Sequence, residues 1–279
     1  MRSRNLGRAQ LLFLRLLLLL AVFALWYALT AWKILDPFFF GNPLVVLENA
    51  GRWFVTGKIY PHLAITLVET VLAFGAGTVL GLGVGLWLAL SPLTSSLLEP
   101  YIKGANAMPR VILAPIFAVW FGLGILSKVA LGVTLVFFIV FFNVYQGVKE
   151  VSPVVLASAR MLGATRRQLL RYVYLPSATS WVFSSLHTSV GMAFVGAVVG
   201  EYLGSAAGVG YLILQAEGAF DINTVFAGIL VLTAFALLLD FIVTVAEARL
   251  LRWRPTSAAV VGGTLQVPSA SKARRASLR

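Results

Sequence analysis

Ten carboxylates, two histidines and no cysteine are spread along 279 residues, and where they fall restricts the chemistry open to the chain. Glu69, Glu201 and Asp240 lie in or beside long apolar runs. An ionisable side chain there is costly unless it pairs or serves a solute or ion pathway. Glu69 suits pathway and packing roles equally. Glu201 precedes the glycine-containing run Gly204–Gly210, so an exposed carboxylate facing a vestibule or a delivered protein is expected, with pairing inside the bundle as the alternative. Asp240 is expected to pair with the basic end of its segment near Arg249. His62 and His187 have no partner at metal-ligand spacing and read as packed or interfacial groups. Gly51–Ile59, GRWFVTGKI, is the nearest string to a phosphate-cradling loop. It has five residues between its glycines and Ile where Ser or Thr should hold magnesium. No catalytic residue, cofactor or metal is expected.

The polar segment between residues 149 and 180 is the richest in signals. Ser152-Pro153 has the form of a helix start, Gly163 that of a helix stop, and Thr165 with Gln168 the spacing of a capping box. Two short helices follow from this, 154–162 and Arg166–Tyr174, bent at Gly163 and ended by Pro176. Ala157, Ser158 and Ala159 leave backbone accessible, and Arg167 and Arg171, four apart, make a basic face. Such a knob suits docking into a groove of another protein. It equally suits resting on anionic lipid headgroups.

These residues are carried by an unusually apolar chain. Of its residues 59% are hydrophobic and 11% charged, against about 25% charged in a soluble domain. Runs long enough to cross a bilayer occur at Leu11–Trp32, Leu63–Leu90, Glu99–Phe121, Val129–Val148, Trp181–Gly200 and Val225–Val245. The fold class expected is therefore all-α, a polytopic membrane protein of about six transmembrane helices with a cytoplasmic coupling-helix loop. Glycines 77, 81 and 85 at four-residue spacing predict close approach of another helix. Pro109 and Pro115 in the third run predict a kink, with a broken helix lining a cavity as the alternative.

Basic residues set the orientation, since positive charge near span ends is retained on the cytoplasmic side. With the N-terminus inside, seventeen Lys and Arg fall on that side, Lys103 and Arg110 among them. Four, Lys33, Arg52, Lys58 and Lys128, fall outside, and Arg15 lies within the first span. Both termini are thus expected in the cytoplasm, with a short tail over 1–10, a membrane domain over 11–254 and a flexible basic tail over 255–279. The net charge of +12 follows the span ends and the loop, so no nucleic-acid partner is expected.

Residues 151–177, VSPVVLASARMLGATRRQLLRYVYLPS, resemble the EAA loop of ABC-importer permease subunits. Ala157-Ser158-Ala159 stands at the family's Glu-Ala-Ala, Gly163 at its glycine, Val173 at its aliphatic position and Leu175-Pro176 at its Leu-Pro. Ala157 replaces the glutamate, so a carboxylate-specific contact does not carry over. PRVILAPIFAVWFGLGILSKV in 109–148, and Glu201 followed by Gly208-Val209-Gly210-Tyr211, are similar to the nitrate, sulfonate and taurine branch. The resemblance implies a plasma-membrane permease subunit that hydrolyses no ATP itself and pairs with a second copy. It also implies that cytoplasmic ABC ATPase subunits dock on Ala157, Ser158, Ala159, Gly163, Arg166, Arg167, Leu175 and Pro176, and that an extracytoplasmic substrate-binding protein delivers the solute. The solutes implied are sulfonates, taurine, nitrate or vitamin precursors, with Glu69 and Glu201 as pathway or gate candidates. The rival readings are a self-sufficient secondary transporter or channel, and a membrane anchor for a partner enzyme.

Overall fold

A computed structural model describes residues 8–250, and within them every regular element is helical. Residues up to Val243 form one compact unit, and a second begins at Thr244. Residues 1–7 of the expected 1–10 tail and the whole expected tail over 255–279 lie outside the described residues.

The chain opens with α1 (Arg8–Ala31), a short α2 (Pro37–Phe40) and α3 (Pro43–Val55). Asn42 caps α3 by accepting the Leu44 N–H at 3.0 Å, with Pro43 in the first turn. Next come α4 (Ile59–Leu90) and α5 (Pro92–Ala107), then a 3-10 turn, Arg110–Leu113, leading into α6 (Ala114–Phe121), and α7 (Ile125–Lys149). The loop helices α8 (Pro153–Met161) and α9 (Arg166–Leu169) precede α10 (Leu175–Ser184), α11 (Leu186–Leu203), α12 (Val209–Gly218) and α13 (Ile222–Leu250).

Among the described residues, four helices are long and apolar enough to cross a membrane, α1, α4, α7 and α13. The expected third span is a bent pair, with α5 turning by 84° into the segment 110–121, so the simple kink gives way to a break in the helix. Pro109 supplies the reason, because it lacks an N–H and its ring excludes the preceding helical turn. The expected fifth span is interrupted at Ser185, between α10 and the eighteen-residue α11.

The core is a seam of small residues. Gly77 lies against Val136, Gly81 against Val140 and Gly85 against Val144, in the same order along both helices, so α4 and α7 run parallel. Gly75 and Gly83, off that stripe, face open space. Gly132, against Ala73 of α4 on the same stripe, also meets Gly196, and Gly147 meets Trp181, which makes the α10–α11 segment antiparallel to α7. Lipid tails offer no hydrophobic drive between helices, so close backbone approach and van der Waals contact hold such a bundle together. Accordingly the outward faces stay apolar: Leu18, Leu19 and Leu20 of α1 and Leu237 and Phe241 of α13 are all exposed in the single chain.

Candidate functional site

Two regions at opposite ends of α7 collect the candidate side chains. Its 25 residues separate them by about 35 Å at the ~1.5 Å rise of a helix.

At the C-terminal end stands the 150–175 loop. Pro153 occupies the first turn of α8, and Ser152 sits at the N-cap position without a side-chain capping bond. α8 buries none of its residues. Ala157, Ser158, Gly163, Arg166, Arg167 and Pro176 are exposed, whereas Ala159 and Leu175 are half-buried. Met161 and Leu162, adjacent at the end of α8, are 82% and 88% exposed. Gly163 has φ +78°, the left-handed stop that the spacing predicts, with open space where a Cβ would project. The Thr165–Gln168 capping box forms: Gln168 Oε1 accepts the Thr165 N–H at 2.7 Å, and Thr165 Oγ1 accepts the Gln168 N–H at 3.4 Å.

Pro176 does not end the second loop helix. The chain widens into a π turn over Leu170–Tyr174, where the Leu175 N–H donates to Leu170 O, and runs on as α10 with Pro176 inside it. A wider turn accommodates a residue that has no N–H to give. The back of the loop is tied to α7, since Ser177 Oγ donates to Gly147 O at 2.7 Å and Trp181 packs on Gly147. Arg160, Arg166 and Arg167 face Ser91 and Thr94 across a groove of about 740 Å³.

Beside this end, a cavity of about 450 Å³ opens between α5 and α7. Its polar lining includes Ser95, Glu99, Lys103, Asn143, Tyr145 and Gln146. Ser95 Oγ and Tyr145 Oη lie 2.5 Å apart, and Lys103 Nζ is 2.6 Å from Glu99 Oε1. Above it, at the break between α5 and the 3-10 turn, Arg110 stacks over the Phe138 ring with its guanidinium carbon 4.4 Å from the centroid. It also donates to Asn106 O at 2.9 Å and to the Asn106 side chain, while its Nε is buried without a partner. Phe138 is about halfway along α7, so Arg110 sits at mid-span rather than at the cytoplasmic end where charge counting places it. Charge counting treats it only as a topology marker. The signal that points further is its position between two prolines.

At the N-terminal end of α7 three ionisable side chains are withdrawn from solvent: Glu69 at 1%, Lys128 at 1% and Glu201 at 0% exposure. Glu201 is therefore not the exposed vestibule carboxylate expected. Its Oε1 accepts from Thr66 Oγ1 at 2.5 Å and its Oε2 from the Gly210 N–H at 2.7 Å. Val209 N–H donates to Thr66 Oγ1 at 3.3 Å and Gly208 N–H to His62 Nδ1 at 3.1 Å. Gly208 has φ +105°, and a Cβ there would overlap the Glu201 carboxylate. Glu201 thus orders the Gly204–Gly210 run, which is no slack tether. Lys128, counted outside by charge, is buried and bonds to the carbonyls of Leu123 and Gly124 at 2.6 and 3.1 Å. His187 Nδ1 lies 3.1 Å from Asp240 Oδ1. Among the described residues no group of three or more metal-ligating side chains forms.

The family model for the binding-protein-dependent transport system inner membrane component matches residues 77–252. The taurine transport system permease protein TauC of Escherichia coli is 30% identical, over 84% of this chain and 87% of that protein. The formylaminopyrimidine transport permease protein ThiX of Halalkalibacterium halodurans is 33% identical, over 70% and 78%. In fold, the chain superposes on a chain of the inward-facing MetNI methionine ABC transporter with a TM-score of 0.60. That match covers 70% of this chain and 94% of the other at 19% identity.

Proposed function

The chain belongs to the binding-protein-dependent transport system inner membrane component family, the membrane-spanning permease subunits of ABC importers, and from that premise we propose how it works. Two copies face one another across their broken α5–α6 spans and enclose the pathway. Cytoplasmic ATPase subunits grip the 150–175 loop, and an extracytoplasmic binding protein delivers solute at the opposite end. Both termini are cytoplasmic, with the membrane domain over 11–254 in the plasma membrane. ATP hydrolysis belongs to the partner subunits. Their closure pushes on α8 and α9, and the tie from Ser177 and Trp181 to Gly147 passes the motion to α7. Two bistable arrangements biased by ligand and nucleotide are the general basis of alternating access.

The loop's exposed Met161 and Leu162 beside its basic groove support the docking reading. Because Ala157 stands where the family has glutamate, the charge that orients this loop is positive, from Arg160, Arg166 and Arg167. The ATPase groove that receives it is acidic. The single observation that carries the solute reading is Arg110, a cation at mid-span with an unpartnered buried Nε. A guanidinium there suits a small anionic group such as the sulfonate of taurine, the solute named for the Escherichia coli relative. Glu69 and Glu201 serve the gate by holding the far end closed, without touching solute.

The test is uptake by the complex reconstituted with its ATPase and binding protein. Taurine and other alkyl sulfonates are expected to drive uptake, and Arg110→Ala to raise the half-saturating solute concentration at least tenfold while ATPase association persists. Sulfonate uptake unchanged in Arg110→Ala overturns the solute assignment. Failure of the chain to co-purify with any ABC ATPase overturns the permease mechanism.

A further inference from the structure

Burying charge in a bundle demands neutrality, because an uncompensated ion in a low-dielectric interior costs several kcal/mol. The cluster at the far end contains two carboxyl groups, Glu69 and Glu201, and one ammonium, Lys128, all essentially inaccessible to water. Fully ionised, it would hold one surplus negative charge. The hydrogen bonds say where that surplus is removed. Glu201 Oε2 accepts the Gly210 N–H, and Oε1 is the nearer of two acceptors for the Thr66 hydroxyl, at 2.5 Å against 3.0 Å for His62 O, so both oxygens have a donor, as a carboxylate requires. Glu69 Oε2 is buried and has no donor facing it, although its carboxyl group is a near neighbour of Glu201. Two carboxylates have no proton to share and repel; a carboxylic acid beside a carboxylate donates to it.

We propose that Glu69 and Glu201 form a binding site for a single proton, carried on Glu69 and donated toward Glu201, which makes the Glu69–Lys128–Glu201 cluster neutral and latches the bundle at this end. The latch joins elements far apart in sequence. Glu69 and Thr66 are on α4, Lys128 at the start of α7, Glu201 at the end of α11, and Gly210 on α12. Lys128 Nζ at the same time holds the 123–124 carbonyls. The other titratable groups around it are His62 on α4, whose Nδ1 accepts from Gly208, Tyr211 of α12 stacked on the His62 ring, and Lys58 next to His62. Loss of the proton to water turns Glu69 into a second carboxylate against Glu201, and repulsion pries α4 from α11. The 204–210 run, held down by Glu201 and His62, is then released. This inference goes beyond the solute assignment and stands whether or not sulfonates are carried.

The test uses the purified full-length chain in detergent. Infrared spectroscopy at neutral pH is expected to show the carbonyl stretch of a protonated carboxylic acid, lost in Glu69→Gln. It is expected to strengthen in Lys128→Met, where neutrality calls for two protons. The native state keeps a proton that the unfolded chain has released above the ordinary carboxylate range, so thermal stability falls as pH rises from about 5 and levels off once the native site also ionises. Glu69→Gln, neutral and of the same shape, is expected to fold and to lose most of that slope. The profile is expected to be the same in sodium chloride and choline chloride. Absence of the acid band, its survival in Glu69→Gln, or failure of Glu69→Gln to fold overturns the proposal. So does a stability gain specific to sodium without an acid band, which assigns the site to a sodium ion.

Discussion

Gly163 separates backbone geometry from side-chain packing at the point where the loop is proposed to meet its ATPase. Its φ of +78° lies in the left-handed region, and a Cβ added there has no neighbour within 4 Å. A substitution therefore costs only backbone strain, about 1–2 kcal/mol for an ordinary L-residue and more for a β-branched one. That strain is a factor of about 5–30 in the population of the bent loop. Nothing else in the bundle touches the position, so membrane insertion and the thermal midpoint of the permease in detergent are expected to stay near parental values. Gly163→Val is expected to lower solute-stimulated ATP hydrolysis of the reconstituted complex several-fold. Asn tolerates the left-handed region, so Gly163→Asn is expected to retain most of the coupling. Parental coupling in Gly163→Val refutes the reasoning. An Asn variant as poor as the Val variant refutes the backbone explanation in particular, because it makes the added side chain the cause.

Gly81→Val drives a Cβ to 2.8 Å from Phe137 O and from the Val140 side chain, so α4 and α7 must part. Expression of folded protein and its melting midpoint in detergent are expected to fall sharply, while Gly83→Ala, facing open space, changes neither. Equal tolerance at both positions refutes the seam. Replacing Thr165 by cysteine in this cysteine-free chain places a thiol on the exposed loop. Impermeant maleimide is expected to label it only in inverted or permeabilised membranes, and labelling of intact cells refutes the orientation. Charge reversal at Arg166 and Arg167 together is expected to weaken ATPase co-purification at least tenfold without lowering permease stability, since both side chains are exposed. Unchanged co-purification refutes the basic docking face.

Signals that act over a few residues are legible in the amino-acid sequence by itself. The apolar runs show α1, α4, α7 and α13 because bilayer thickness sets a length that composition alone reports. The Thr165–Gln168 box and the Gly163 stop show the loop because capping is settled between residues three or four apart. The 77–81–85 stripe shows that a helix packs there, although not which helix or in which direction. α3 and α12 leave no comparable trace, the first despite its Asn42-Pro43 start, because both are short and take their stability from burying Val46, Trp53, Val209 and Leu212 in one shared cluster.

Only the tertiary structure decided where the charges go. Glu69 and Lys128 come together because α4 and α7 run parallel in one register, and Glu201 joins them because α11 returns antiparallel. A residue's depth is likewise invisible to charge counting. Arg110 and Lys128 read as flanking charges in sequence, yet the break at Pro109 carries one to mid-span, and the start of α7 buries the other under Gly200. Helix direction, register and bend angle are set by contacts between segments tens of residues apart. The energy of a buried ion depends on all of them together, so composition and spacing announce that such groups exist and leave their partners to the fold.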